Sequence, residues 1–65
     1  MRDYYCTYEA EMPAEAVKGS LVDRRWRGEM DVQASSVADA RKAVEAELRE
    51  HHPNDRIVTC ECIAF

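Results

Sequence analysis

The sequence predicts an α+β fold, a three-stranded antiparallel sheet with one helix packed on one face in the order β-β-α-β. Three observations carry that prediction. Residues 2–12 and 24–34 both alternate apolar and polar with a period of two. Residues 35–53 read as one complete amphipathic helix with a start signal, an apolar stripe and a stop. The segment 56–65, Arg-Ile-Val-Thr-Cys-Glu-Cys-Ile-Ala-Phe, is rich in β-branched residues.

In the first segment Tyr4, Cys6, Tyr8, Ala10 and Met12 share one side, and Tyr5, Thr7, Glu9 and Glu11 the other. This is a half-buried strand. Pro13 stands before and Gly19 after a helix-forming pentapeptide, which predicts a short helical turn at 13–18 inside the connection. In the second strand Trp26, Met30, Val32 and Ala34 line up opposite Arg25, Arg27, Glu29, Asp31 and Gln33. Gly28 falls on the apolar side, where a missing side chain marks a bulge or a close contact.

Ser36 is placed to cap the helix, with Asp39 three residues on. Val37, Ala40, Val44 and Leu48 form the apolar stripe, with His51 at its far end. Asp39, Lys42, Ala46, Arg49 and Glu50 face away, and Glu45 precedes Arg49 by four residues, the spacing of a surface pair. Pro53 disfavours helical geometry at His52 and ends the element. In the third strand Thr59 and Glu61 prefer water, so Val58, Cys60, Cys62 and Ala64 are expected to face the helix, leaving Ile57, Ile63 and Phe65 outside. A right-handed crossover from the second strand to the third puts the first strand in the middle.

A chain of 65 residues is expected to form one small domain, 1–65, and a chain this short buries only about 60% of its unfolded surface. Such a core leaves little room for an enclosed pocket, so an exposed face is the expected mode of action and an enzyme is not expected. No long apolar run and no apolar leader are present, which points to the cytoplasm. Three cysteines, Cys6, Cys60 and Cys62, are an odd number and read as reduced thiols packed as small hydrophobes. The formal charge of −4 disfavours direct binding of nucleic acid, which draws on a positive surface, and permits an acidic surface that meets a basic partner.

No catalytic or cofactor motif appears. Cys6, Cys60, Cys62, His51 and His52 include zinc-ligand types, but a Cys-x-Cys pair on a strand diverges along it and the usual Cys-x-x-Cys knuckle is missing, so neither metal nor cofactor is expected. His51 and His52 read as a polar helix terminus, Ser35 and Ser36 as capping residues. Arg24-Arg25-Trp26-Arg27 mixes basic and aromatic groups as nucleic-acid binders do, yet alternation splits it across two faces. Trp26 is expected in the core, with the arginines as cross-strand partners of Glu9 and Glu11.

The sheet face opposite the helix has two readings. The commoner is a solvated antiparallel face with cross-strand ion pairs. The other is a protein-binding surface, because acidic groups flank an aromatic and aliphatic patch. On the second reading Glu9, Glu11, Glu29, Asp31 and Glu61 supply charge, and Tyr5 and Phe65 are the anchors. Self-association through this face or through the edge strand 57–65 is a third possibility.

The stretch from Gly28 to Arg41, Gly-Glu-Met-Asp-Val-Gln-Ala-Ser-Ser-Val-Ala-Asp-Ala-Arg, runs from a strand into an Ala-Ser cap and a helix that opens with an acidic residue, Ala and a basic residue. It resembles some anti-CRISPR proteins of phages and mobile elements, directly over these residues and elsewhere by element order. That resemblance implies a short acidic non-enzymatic inhibitor that binds a CRISPR effector subunit in the cytoplasm of a bacterial host. It would act as a nucleic-acid mimic and block target engagement. A homodimeric structural or accessory phage-type protein is the alternative, as is an antitoxin-like binding module, although the chain lacks the Gly-rich second strand and appended DNA-binding segment of such antitoxins.

Overall fold

The computed structural model describes residues 1–17 and 24–65. Strand β1 (Arg2–Glu11) leads into a 3-10 turn at Ala14–Val17, followed by β2 (Arg25–Ala34), helix α1 (Val37–His51) and β3 (Arg56–Ala64). The expected helical turn is therefore present over four residues, while its last position, Lys18, and the following Gly19 lie outside the described residues. Both neighbours of β1 run antiparallel to it, giving the order β2-β1-β3 with the first strand central.

Alternation in β1 and β2 sets the covered face. Tyr4, Cys6, Ala10 and Ala34 are buried, and Tyr8, Trp26, Met30 and Val32 pack around them. Gly28 is opposite Tyr8 in the ladder. A β-carbon there would lie 2.7 Å from Tyr8 Cε2, so the glycine is needed to let the phenol ring lie across β2. The ring in turn meets Trp26 edge to face, with centroids 5.7 Å apart.

Helix α1 closes the core with Ala40, Val44 and Leu48. Burying an aliphatic side chain of this size contributes about 1.5–3 kcal/mol, and Val44 and Cys6 are the largest fully buried side chains. Ser36 caps the helix as expected, its Oγ accepting from the Asp39 N–H at 3.1 Å. At the other end the His52 N–H donates to the Leu48 carbonyl at 2.7 Å, one residue before Pro53. Val37 departs from the expected stripe. It is the first residue of the helix and is 43% exposed. His51 is exposed too, and its i,i+4 partner is Glu47 at 3.0 Å; no Glu45–Arg49 bridge occurs among the described ion pairs.

Two further expectations are overturned in β3. The ladder pairs Glu9 with Thr59 but Ala10 with Ile57, so Val58 is an extra residue in the edge strand. This bulge reverses the facing of what precedes it. Ile57 accordingly turns beneath the helix and packs on the core, instead of standing outside with Ile63 and Phe65. The cysteines also differ from three reduced thiols: Cys6 and Cys62 are directly opposite in the ladder and form a disulfide, and Cys60 alone is free. Both readings bury the pair as small apolar groups, and side-chain parity had already put them on one face. No helix of the described residues is long and apolar enough to cross a membrane.

Candidate functional site

The uncovered face is a grid whose rows follow from register. Running across β2, β1 and β3, the rows are Asp31, Tyr5 and Ile63; then Glu29, Thr7 and Glu61; then Arg27, Glu9 and Thr59; and finally Arg25, Glu11 and Arg56. Strand pairing thus sorts the charges, with carboxylates at one end and guanidinium groups at the other.

At the arginine end the carboxylates are consumed internally. Glu11 lies 3.1 Å from Arg24, and its two oxygens are each 3.5 Å from Arg56 and Arg25 respectively. Glu9 lies 3.8 Å from Arg25. Desolvation, the largest single influence, raises the Glu11 pKa, but the charges of Arg24 and Arg56 and hydrogen bonds from Arg25 and Arg56 outweigh it and leave the group below its usual value. The expected cross-strand pairing of arginines with Glu9 and Glu11 is therefore present. The same pairing engages these two carboxylates with arginines of the sheet's own uncovered face.

The carboxylate end differs. Glu29, Asp31 and Glu61 are exposed. Ile63 is 63% and Phe65 72% exposed, and they stand on the same face beside Glu61. Tyr5 is half-buried in the central strand, and its hydroxyl donates to the Glu29 carboxylate. That hydrogen bond, with desolvation and the negative charges of Glu29 and Asp31, raises the phenol pKa. Between the two ends lies an open concavity of about 830 Å³, floored by Thr7 and Thr59 and flanked by Arg27, Glu29 and Glu61.

A second cavity, about 280 Å³, sits on the helix side at the arginine end, against Ala10, Trp26, Leu48 and Ile57. Trp26, expected in the core, is half-buried there and packs against the core's margin. Its Nε1–H donates to Asp55 Oδ2 at 2.9 Å, and its ring meets that of His52 with centroids 4.7 Å apart. His52 Nδ1 is 3.9 Å from the same Asp55 oxygen. The sequence reads His52 only as part of a polar helix terminus; the Trp-Asp contact spans 29 residues and has no local signal. A histidine beside a carboxylate performs acid-base work when a nucleophile or substrate proton is within reach. Among the described residues the lining of this cavity includes no Ser, Thr or Cys, and Asp55 already serves Trp26.

Cys60 lies away from both ends, half-buried under α1. Desolvation pushes its thiol pKa up, opposed by Arg41 and reinforced by Glu45. Glu47, Glu50 and His51 present ligand atoms within 4.8 Å of one another, all on exposed side chains. Of the sequence-predicted binding residues, register brings Tyr5, Glu29, Asp31, Glu61 and Phe65 to one end and places Glu9 and Glu11 among the arginines. Compared with protein-family models, curated proteins and solved structures, the chain finds no match.

Proposed function

We propose that the chain is a non-enzymatic protein-binding inhibitor that docks through the carboxylate end of its uncovered sheet face. The observation that carries this reading is the placement of two large exposed apolar side chains, Ile63 and Phe65, beside exposed carboxylates of Glu29, Asp31 and Glu61. An apolar anchor within a charged rim is the composition of a recognition patch, and the sign of the rim selects a basic partner.

The partner class we propose is the nucleic-acid-binding groove of a CRISPR effector, where carboxylates would occupy positions that otherwise receive phosphates. The resemblance of residues 28–41 to anti-CRISPR proteins supports this choice, as does the formal charge of −4. Binding of this kind weakens with salt, because exposed charges are screened beyond about 10 Å at 0.1 M ionic strength.

The test is competition between the chain and target DNA for purified effector complexes, followed by fluorescence anisotropy of labelled DNA at low and high salt. Displacement of DNA that weakens with salt, and is lost in Asp31→Lys/Glu61→Lys, is the expected result. Displacement unaffected by that double reversal would remove the carboxylate end from the mechanism, and a failure to bind across the effector panel would remove the partner class.

A further inference from the structure

We propose that the chain pairs with a second copy of itself through the outer edge of β3, antiparallel and centred on Cys62, extending the sheet to β2-β1-β3-β3-β1-β2. The two edges of the sheet are unlike. β2 carries charged residues at four alternate positions, Arg25, Arg27, Glu29 and Asp31, a pattern that discourages addition of another strand. From Ile57 to Phe65 the β3 edge carries a single charged residue, Glu61, and neither Pro nor Lys. Two of the large apolar side chains most exposed in the described structure, Ile63 and Phe65, belong to this segment.

Hydrogen-bond parity shows which backbone groups the edge offers. The Phe65 N–H donates to the Asp3 carbonyl at 3.1 Å. Cys6 and Cys62 have their Cα atoms 4.1 Å apart, the close spacing of a pair that exchanges no ladder bonds. Residues 61, 63 and 65 therefore bond inward to β1, and Cys60, Cys62 and Ala64 point their N–H and C=O groups outward.

Paired residues share a face in an antiparallel ladder, so the dyad falls on a residue, and only a few centres are available. A centre on Glu61 places two carboxylates directly opposite each other, which is destabilising. One on Cys60 sets Cys62 opposite the Val58 bulge, and one on Ile63 places Cys60 past the end of the second copy's β3 strand. Centring on Cys62 sets Cys60 opposite Ala64 of the second copy and uses every outward group of residues 60, 62 and 64 in both chains. It also makes Ile63 a diagonal neighbour of its counterpart and puts Phe65 opposite Thr59. The uncovered face of each copy stays open, so the pairing stands independently of the inhibitor reading.

A single shared edge buries less than the roughly 1,200–2,000 Å² of a stable interface, so the dissociation constant is expected on the order of 10–100 µM. Sedimentation equilibrium from about 10 µM to 1 mM is expected to show a monomer-dimer equilibrium across that range. In Ala64→Cys the new thiol lies opposite Cys60 of the second copy. Diamide, which is reduced to its hydrazine as it takes up the two thiol hydrogens, should join them into a covalent dimer; the unsubstituted chain, whose Cys60 residues are offset, should not cross-link. Ala64→Pro removes an outward N–H without touching the bonds to β1 and should abolish the dimer with an unchanged far-UV CD spectrum. If that variant fails to fold, Ile63→Glu takes its place: it sets a carboxylate directly opposite Glu61 of the second copy and should weaken dimerisation at least tenfold. A chain monomeric throughout, cross-linking of the unsubstituted chain as efficient as that of Ala64→Cys, or undiminished dimerisation of a folded Pro or Glu variant would each overturn the pairing.

Discussion

Both ends of the uncovered sheet face hold carboxylates and put them to opposite uses. Glu9 and Glu11 at one end are tied to Arg24, Arg25 and Arg56 at 3.1–3.8 Å. Glu61 and Asp31 at the other end stand exposed beside Ile63 and Phe65. What separates them is cross-strand register. A carboxylate opposite a guanidinium becomes part of the scaffold, and one opposite Thr7 or Tyr5 carries no such ion pair. The arginine end is thus a device for stability and the carboxylate end a candidate for recognition.

The largest expected effect tests the support beneath the arginine end. Trp26→Ala removes the ring that joins Tyr8, His52 and Asp55, and should lower unfolding stability by about 3 kcal/mol in urea titrations. Phe65→Ala at the opposite end should change it by under about 0.5 kcal/mol. Equal losses would erase the distinction between a structural and a recognition end.

Of comparable size is reduction of the disulfide, which lies in the rows beneath the carboxylate end. Reducing agent should lower stability by about 2–4 kcal/mol, while the far-UV CD spectrum is retained because both thiols remain buried among apolar groups. The inhibitor reading, which places the chain in a reducing compartment, depends on that retention; a chain that unfolds on reduction would count against it.

A smaller effect sharpens the comparison at the level of binding. Glu61→Lys alone should weaken effector binding by about tenfold, about 1.4 kcal/mol, with little change in Tm. Glu9→Gln should leave affinity within about twofold, because its partner is intramolecular.

The smallest is a pH signature of the arginine end. The folded pKa of Glu11 is depressed, so its contribution is present above the unfolded carboxylate pKa and is lost as pH falls through the folded value. Thermal melts should show Tm declining on acidification through the ordinary carboxylate range, and Glu11→Gln should flatten part of that decline. A Glu11→Gln curve parallel to that of the unsubstituted chain would dissociate the ion-pair network from stability.

The covered face was largely legible in the sequence because period-two and period-3.6 patterns report burial directly. Tyr4, Cys6, Ala10, Ala34, Ala40, Val44 and Leu48 are buried where those patterns place them. Gly28 carried its own signal, a gap on the apolar side that Tyr8 fills. Ile57 did not, since a single extra residue at Val58 inverts its facing and nothing in the local composition announces a bulge. The disulfide was missed for a related reason: an odd cysteine count argues about compartments, whereas pairing depends on Cys6 and Cys62 meeting across 56 residues of chain. At the candidate site residue types and faces were legible, but which charges neutralise each other depends on register, and that follows only once all three strands are aligned.

The bond between Cys6 and Cys62 also changes what a protease can accomplish. The connection between β1 and β2, like every peptide bond from residue 7 to residue 61, lies inside the ring that it closes. A single cut there opens the ring without dividing the molecule, so the two pieces travel as one mass until a thiol reagent separates them.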